Sequence, residues 1–325
     1  MKRAATMPVR ADVSVPAGME RNCSIADSIA ILSDTWVFLV IREAFFGAKR
    51  FTEFSERLGI PRATLAVTLR RLVETDILRT RRLAGAKSWK YYALSRRGLD
   101  LYPVFQGLLW FGDKWLQPAP PPLALFHLGC GSWFSPCIVW AETGMPVDPR
   151  DIAVELADDY WRKPASVEER RRRVTRHPAE PVGRRPCSVE RALSIVGDRW
   201  TFLILREFFH GNDRFDGFMR NLPIASNILS DRLQRLRAAQ MIERGSADAT
   251  AAYQLTQKGR DMYGPMILLK SWGDRWLRPK ARPTMHFVDR ASGALRHPKV
   301  ICSCCRRETP AHEVRYITGY RLEAH

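Results

Sequence analysis

Apolar residues are spaced as on one face of a helix from residue 24 onward. Ile25, Ile29 and Leu32 stand at positions i, i+4 and i+7, which predicts a short amphipathic helix. Residues 35–46 are apolar on nearly every side and are followed by Gly47, a residue that commonly ends helices. A helix that is apolar all round must be buried, so we expect the second helix to form the centre of this unit.

The pattern continues with two further helices. Residues 51–58 carry the spacing of a third helix, and Pro61 suits the first turn of a fourth, where its missing N–H costs nothing. Leu65, Leu69 and Leu72 again stand at i, i+4 and i+7, so this side of the fourth helix should face the core.

A hairpin and a closing helix complete the unit. Residues 77–83 and 89–94 are short β-type runs on either side of a turn at 84–87. Ser95 is a good N-cap for a last helix that runs to Trp115. Helices, a hairpin and a closing helix in this order are typical of a winged helix-turn-helix.

The whole pattern occurs twice. At a constant offset of 164 residues, 20 of the 56 pairs between residues 23–78 and 187–242 are identical. Such self-similarity is the mark of a repeated structural unit. The chain is therefore predicted to be mainly α with small β-hairpins, an α+β protein with two tandem winged helix-turn-helix domains.

Each copy is followed by a segment with cysteines that predicts a short β-ribbon-like tail. Residues 151–186 join an acidic apolar stretch to an arginine run, and we interpret them as a helical linker that either fixes or merely tethers the two copies. The predicted organisation is a flexible arm at 1–21, winged helices at 22–117 and 187–278, tails at 118–150 and 279–325, and the linker at 151–186.

Charge points to a polyanionic partner. The chain has 325 residues, a formal net charge of +18 and a pI near 10.1. It has no apolar run long enough to span a membrane and no apolar segment after Lys2 and Arg3 that would indicate secretion. Its seven cysteines, an odd number, do not resemble a secreted disulfide framework, so we expect a reduced, cytoplasmic setting.

The fourth helix of each copy is the candidate DNA reader, because the second helix of a helix-turn-helix enters the major groove. Arginine pairs with guanine, asparagine with adenine, and hydroxyl groups suit bases or phosphates. An ordinary solvated helix face is the alternative, but two such helices in register in a basic chain favour DNA. The predicted contacts are Arg62, Thr64, Thr68, Arg70 and Arg71 in the first copy, and Ser226, Asn227, Ser230, Arg232 and Arg235 in the second.

The two wings differ in charge. Residues 79–90 of the first hairpin sum to +5 and contain no acid, whereas residues 242–253 of the second sum to −1. Each phosphate neutralised by a cation releases counterions, so we expect the first wing to bind the DNA backbone and the second hardly at all. The predicted backbone contacts are Arg81, Arg82, Lys87 and Lys90.

Several strings of the second copy resemble the HxlR-type family of bacterial winged-helix transcription regulators. The strings are residues 187–193, 197–207, 214–216, 229–233, 255–259 and 272–276, which together span 187–277. The first copy matches less closely, with Asp27 and Thr35 where Arg191 and Arg199 stand in the second. The resemblance implies a dimeric repressor or activator on palindromic operators, joined through its first and last helices. Two copies in one chain imply an intramolecular pseudo-dimer, and a homodimer of the whole chain stays open.

Some members of that family sense electrophiles or oxidants through a cysteine just before the first helix. Cys23 and Cys187 hold this position. A thiol at a helix N-terminus has a lowered pKa and is more reactive, which gives the sensing hypothesis a physical basis. A small buried residue at the interface is the alternative, and we favour it.

The tail cysteines raise the question of a metal site. Cys302-x-x-Cys305 is one zinc knuckle, and His286 stands upstream, but a structural site needs four ligands. The first tail has Trp140 and Thr143 at the aligned positions, so no matching knuckle exists. We therefore predict no metal and no cofactor, with Cys130, Cys137, Cys302 and Cys305 as weak candidates that come together only if the tails meet.

No phosphate loop or hydrolase motif stands in a suitable context, so an enzyme is not expected. The sequence favours a transcriptional regulator that binds double-stranded DNA sequence-specifically and uses its two recognition helices as a pseudo-dimer on a (pseudo)palindromic operator. The alternatives are a thiol-based sensor acting through Cys23 and Cys187, and a winged-helix scaffold that has lost DNA contact. The operator and any small-molecule effector are not encoded in these patterns.

Overall fold

The computed structural model describes residues 15–16, 18–32, 35–82, 90–116, 121–163, 187–245, 252–278 and 283–319. Predictions on the turn at 84–87 and on most of the linker, residues 164–186, lie outside the described residues.

The first winged helix has the predicted order of elements. Its closing helix is interrupted at Leu101, so the single helix expected after Ser95 is two. The elements are β1 (Glu20–Arg21), α1 (Ser24–Leu32), α2 (Thr35–Phe45), α3 (Phe51–Leu58), α4 (Arg62–Glu74), β2 (Leu78–Arg82), β3 (Lys90–Leu94), α5 (Arg96–Leu99) and α6 (Tyr102–Trp115).

The first tail is built of short strands, as expected for a β-ribbon. They are β4 (Leu123–His127), β5 (Ser132–Phe134), β6 (Pro136–Trp140), β7 (Ile152–Leu156) and β8 (Trp161–Arg162).

The second winged helix and its tail repeat this order. The helices are α7 (Ser188–Val196), α8 (Arg199–Phe209), α9 (Phe215–Asn221), α10 (Ser226–Ala238), α11 (Gln257–Asp261) and α12 (Tyr263–Leu277). The strands are β9 (Ile242–Arg244) and β10 (Tyr253–Leu255) in the wing, then β11 (Met285–Asp289), β12 (Leu295–Arg296), β13 (Pro298–Cys302) and β14 (Val314–Thr318). The mainly helical α+β class with two winged helices is confirmed.

Each winged helix is centred on the apolar second helix. Residues 36–41 of α2 and 202–205 of α8 are buried in the core. Asp198 caps α8, since its carboxylate accepts hydrogen bonds from the backbone N–H groups of Trp200 and Thr201 at 2.9 and 3.2 Å. The hydrogen bonds of the cap fix the start of the core helix, and burial of its apolar side chains stabilises the rest of it.

The two units interlock through their first and last helices. Helix α1 packs on α12 of the second unit, and α7 packs on α6 of the first. Both crossings occur at a glycine: a Cβ on Gly112 would lie 2.2 Å from the carbonyl oxygen of Ser188, and one on Gly273 would lie 2.7 Å from that of Ser24. Only a residue without a side chain lets the backbones approach so closely.

A hydrogen bond follows each of these glycines. The hydroxyl of Ser188 donates to Asp113, and the hydroxyl of Ser24 donates to Asp274. The same Gly–Asp pair and the same serine therefore serve both crossings, which gives the chain an approximate two-fold relation between its halves.

The tails also pair across the two halves. Strand β4 pairs with β14, β7 with β11 and β6 with β13, all antiparallel. Three pairs of equivalent strands, β4 and β11, β6 and β13, and β7 and β14, start 162 residues apart, and Ile138 stands opposite its own equivalent, Val300. The expected repetition of the tails is thus confirmed in their strands.

The prediction of a helical linker is wrong for the first part of that segment. Residues 152–156 form β7 instead of a helix, because they alternate between inward and outward positions and pair with β11 along their whole length. The apolar and acidic residues there fit period two, and the partner strand comes from 130 residues away, beyond the reach of local pattern.

The prediction of a flexible arm is also wrong for its last two residues. Glu20 and Arg21 form β1, which pairs with β8. The guanidinium of Arg21 is buried and donates two hydrogen bonds of 2.9 Å to the carboxylate of Glu207 on α8. A bidentate pair of this kind orders the chain that carries it.

Within the described part of the chain, no single helix is long and apolar enough to cross a membrane. The α1–α2 pair passes a test of length and composition, but it bends by 80°.

The close backbone approach at Gly112 and Gly273 predicts that the packing of the two units is most sensitive to substitution at these two positions. We expect Gly273→Val and Gly112→Val each to lower the free energy of unfolding by about 1–3 kcal/mol, because the new side chain collides with backbone atoms that cannot move alone. Urea denaturation checks this, with Ala66→Val on the exposed face of α4 as control. If the glycine variants unfold at the same urea concentration as this control, the close approach does not limit stability.

Candidate nucleic-acid interface

The first recognition helix, α4, exposes part of the predicted surface. Arg62 and Arg70 are exposed and Thr64 is half-buried. The guanidinium of Arg62 lies 5.2 Å from the ring centroid of Phe51, a stacking contact that positions it at the start of the helix. These side chains are placed for contact with a ligand along α4.

Thr68 is not on that surface. Its residue is only 5% exposed, so the prediction of an exposed hydroxyl is wrong. Thr68 stands three residues after Leu65 and four before Leu72, which puts it on their side of the helix, facing the core.

Arg71 holds α4 against α1. Its Nη2 donates a 2.6 Å hydrogen bond to the backbone carbonyl of Ala30, near the end of α1. Its side chain is half-buried, so this arginine has a structural contact in addition to the DNA contact predicted for it.

The second recognition helix, α10, is richer in polar groups. Ser226, Asn227 and Ser230 are exposed, and so is Arg235, which pairs with Asp231 at 3.1 Å. The first three occupy the N-terminal half of the helix, the part that reaches base edges in a helix-turn-helix.

Arg232 is largely withdrawn from this surface. Its guanidinium forms an ion pair of 3.1 Å with Asp198, the cap of α8, and a second pair with Asp231. Arg232 thereby ties the recognition helix to the core helix, and its position in the first copy is taken by the buried Thr68. Both residues at this repeat position thus serve the packing of the helix.

Two exposed residues were missed by the sequence analysis. Val67 on α4 is 62% exposed, and Arg237 near the end of α10 is exposed as well. An exposed apolar side chain on a recognition helix is suited to contact with the methyl group of thymine. Both residues lie off the buried stripe of their helix, so apolar spacing alone is a signal that could have placed them on this surface.

The first wing presents a basic surface. Arg81 and Lys90 are exposed on paired strands, and Arg79 pairs with Asp76 at 3.0 Å. Arg50 extends this surface, since its Nη2 donates a 3.1 Å hydrogen bond to the hydroxyl of Tyr91 on β3.

Two predicted wing residues are only partly described. Arg82 belongs to β2, but its side chain lies outside the described residues, as does all of Lys87. In the second wing the exposed pair is Glu243 and Arg244, so its described strands carry charges of both signs.

Both cysteines at the first helices are buried, and each lies beside an arginine of the other unit. Cys187 is 7% exposed and lies beside the guanidinium of Arg42. Cys23 is 1% exposed and lies close to Arg206 and Tyr160. The interface reading, which we favoured, agrees with this burial.

The surroundings of the two arginines are not equal. Cys187 and Arg42 line an apolar cavity of about 370 Å³, but the equivalent space at Arg206 and Phe209 has only about 20 Å³. The smaller space is lined by His210, whose ring stacks on the fully buried Tyr160.

Tyr160 and His210 form a buried pair beside this smaller space. The Tyr160 hydroxyl lies 2.8 Å from Nε2 of His210, and the two rings are stacked. Burial and the nearby Arg21 lower the pKa of His210 to about 3, so the imidazole is neutral and acts as a hydrogen-bond partner.

A buried carboxylate stands next to this pair. Burial by itself would raise the pKa of Glu207, but Arg206 and Arg21 hold it at about 2. The equivalent glutamate, Glu43, is fully buried and pairs with Arg42, which also reaches Glu190 of the other unit at 3.1 Å. These ion pairs keep charged groups satisfied where the two units meet.

The tails do meet, and they bring four metal-binding side chains together. Ligand atoms of His127, Cys130, Cys302 and Cys305 all lie within 4.8 Å of one another. Three of the weak candidates named above are therefore joined by a histidine that the sequence analysis did not name as a ligand. Cys137 is not in this group; its thiol lies 3.8 Å from the carbonyl oxygen of Ser135.

His286, the histidine considered in the sequence, is not in the group either. It lies on β11, opposite Glu155 of β7. Trp140 and Thr143, the residues of the first tail aligned with Cys302 and Cys305, are not in the group. The partners of the second knuckle, His127 and Cys130, stand at other positions of the first tail, so alignment of the two tails does not find them. The pairing of β4 with β14 brings His127 to the second knuckle.

A family model described as HxlR-like helix-turn-helix matches residues 31–120 and 195–281 of the chain. An uncharacterized HTH-type transcriptional regulator of Mycobacterium tuberculosis, Rv3095, is 38% identical over 130 residues, which cover 39% of this chain and 82% of the relative. The HTH-type transcriptional regulator YodB of Bacillus subtilis is 29% identical over 103 residues, which cover 30% of this chain and 92% of the relative.

Among solved structures, a transcription factor from Pseudomonas aeruginosa, PA1374, is 29% identical, with a TM-score of 0.30 and coverage of 42% of this chain and 92% of that chain. Family membership therefore rests on the double match of the family model and on the curated relatives.

Proposed function

The chain belongs to the HxlR-like helix-turn-helix family and is similar to HTH-type transcriptional regulators, and we propose that it works as an intramolecular pseudo-dimer. In this proposal it is a cytoplasmic regulator that binds double-stranded DNA sequence-specifically, with α4 on one half of a pseudo-palindromic operator and α10 on the other. Occlusion of a promoter or recruitment to it would follow from that binding.

The observation that carries the proposal is the reciprocal packing of α1 on α12 and α6 on α7. Because the same serine, glycine and aspartate make both crossings, the two recognition helices are related by an approximate two-fold within one molecule. Such symmetry is what two half-sites about one helical turn, about 34–36 Å, apart require.

The two halves would contribute unequally to binding. Helix α10 exposes Ser226, Asn227 and Ser230 at its start, whereas α4 exposes Arg62, Val67 and Arg70. Hydroxyl and amide groups read base edges, and the basic first wing suits phosphates. We therefore propose an imperfectly symmetric operator, with one half read mainly through bases and the other held mainly through its backbone.

One chain should occupy one operator. The operator is first obtained by footprinting the tagged protein on genomic DNA, and the mass of the complex is then measured by native mass spectrometry or analytical ultracentrifugation. A single chain per duplex is expected, because both recognition helices are already present. Two chains per operator would replace the pseudo-dimer with a homodimer of the whole chain.

Base-reading and phosphate-binding residues should separate in their salt dependence. Arg81→Ala with Lys90→Ala should weaken binding to all DNA and lower the slope of log K against log salt by about 2, since each lost phosphate contact is worth about 0.9. Asn227→Ala should weaken operator binding alone, by about 1–3 kcal/mol, and leave the slope unchanged.

Arg150→Ala is the matched control for these variants, because Arg150 is an exposed arginine in the first tail that pairs with Asp148. An unchanged slope in the wing variant would refute the backbone role of the first wing. Failure of the wild-type chain to bind any DNA at low salt would favour the protein-interaction scaffold instead.

Thiol sensing is the second candidate, and it is favoured at Cys187 by the cavity of about 370 Å³ that this residue lines. A small electrophile that enters the cavity would meet the thiol of Cys187 beside the guanidinium of Arg42. Cys23 has no comparable space, since the equivalent cavity measures about 20 Å³.

We expect Cys187 to be alkylated faster than Cys23 when the folded, reduced chain is treated with iodoacetamide, because only its cavity admits the reagent. Peptide-resolved mass spectrometry follows both residues in one sample. In the sensing hypothesis, an electrophile also releases the wild-type chain from DNA and leaves Cys187→Ser bound. Equal alkylation rates, or release of the Cys187→Ser variant, would count against it.

A further inference from the structure

Two turns, one from each tail, meet at the pairing of β4 with β14. The first follows β4 and carries His127 and Cys130; the second follows β13 and carries Cys302 and Cys305. His127 and Cys302 are fully buried, while the other two cysteines are half-buried. Three thiols and an imidazole are thus gathered from residues up to 178 positions apart.

Three distances within this group are close to those of a tetrahedral metal site, and all four ligand atoms lie within 4.8 Å of one another. Nδ1 of His127 lies 3.3 Å from the sulfur of Cys130 and 3.3 Å from that of Cys305, and the sulfurs of Cys130 and Cys302 are 3.9 Å apart. Zinc bonds of about 2.3 Å to sulfur and about 2.0 Å to nitrogen at tetrahedral angles place sulfurs about 3.8 Å from each other and about 3.5 Å from nitrogen.

The two turns share one backbone conformation. The residue after the second ligand is left-handed in both, with φ of 66° at Gly131 and 61° at Arg306. Its N–H donates to the carbonyl of the first ligand residue, from Gly131 to His127 at 2.9 Å and from Arg306 to Cys302 at 3.0 Å. The left-handed backbone conformation is uncommon for arginine, so the second turn adopts it although Arg306 disfavours it.

Groups around the four ligands suit a bound cation and its thiolates. Nε2 of His127 faces away from the sulfurs and lies 3.3 Å from the carboxylate of Glu313, the arrangement that orients a metal-bound histidine. The N–H of Cys304 points at the sulfur of Cys302 at 3.4 Å, and the positively charged guanidinium of Arg307 lies near Cys305. These contacts stabilise negative sulfur and fix the imidazole.

The other half of the molecule lacks this group at the equivalent place. At the tail offset of 162, the four positions are held by Asp289, Ser292, Trp140 and Thr143. There the indole of Trp140 packs against Phe287, with ring centroids 6.0 Å apart. The turns alone therefore do not require cysteine or histidine, and the four ligands at one site need a separate reason.

We propose that the chain binds one zinc ion through Nδ1 of His127 and the sulfurs of Cys130, Cys302 and Cys305. Three thiolates with one imidazole at tetrahedral spacing favour zinc over harder cations. All four positions are filled by protein, so the site is structural and leaves no place for a substrate. The metal would join the first tail to the second on one side of the two-fold, and each thiol would release its proton on binding.

Metal content of the full-length chain tests this. The chain, purified under reducing conditions from zinc-supplemented medium, should contain one zinc per molecule by inductively coupled plasma mass spectrometry. Cys130→Ser and Cys305→Ser should lose most of it. Cys137→Ser and Cys304→Ser are the matched controls, because they remove neighbouring cysteines outside the group, and they should keep the full amount.

Two further measurements remain decisive if a ligand variant fails to fold. The wild-type chain stripped with a chelator and refilled with Co²⁺ should show the visible bands of tetrahedral cobalt and thiolate-to-cobalt charge transfer in the near ultraviolet. Glu313→Gln should lower zinc affinity by about 10–100-fold in a chelator competition, as loss of an outer carboxylate does. A reduced wild-type chain without zinc and without these cobalt bands, or equal zinc loss in the Cys137→Ser control, would overturn the proposal.

Discussion

The reciprocal crossing of the first and last helices is the constraint on which the rest of the structure depends. At each crossing a glycine admits the backbone of the other unit, and a serine–aspartate hydrogen bond follows it. Neither unit can bury its first helix without the other, because α1 packs on α12 of the second unit and α7 packs on α6 of the first. Helices α4 and α10 pack on the core helices of the two units, so their relative placement depends on these two close contacts.

Approximate symmetry makes the differences between the halves interpretable. The second recognition helix has more exposed polar groups at its start, and the first wing has more positive charge. One interface cavity is about 370 Å³ and its equivalent about 20 Å³, and among the described residues the cysteine–histidine group lies on one side of the two-fold. A homodimer would have to carry every feature twice. Fusion of the two units in one chain lets the two halves differ in the polarity of the fourth helix, the charge of the wing, the size of the cavity and the side chains of the tail.

Helical periodicity and the repeat were enough to predict both winged helices, since these signals are local and period 3.6 is read directly from apolar spacing. Side-chain direction within those helices was predicted less well. Thr68 shares its helix face with Leu65 and Leu72, yet its polar type suggested exposure. Arg232 was interpreted as a base reader from its type alone, whereas Asp198 holds it. When a polar side chain lies at the edge of the buried face of a helix, its tertiary partner decides whether it is exposed.

The fold class, the duplication and the charge of each wing could be predicted from local patterns, because these depend on residues close together in the chain or on composition. The arrangement of the tails depends instead on contacts between distant segments. Residues 152–156 became a strand because β11 lies beside them, and His127 joined Cys302 and Cys305 because β4 pairs with β14. These contacts cross the approximate two-fold, which pairs each segment with a strand that is not its own equivalent. An alignment of the repeats compares equivalents and therefore cannot reveal such neighbours.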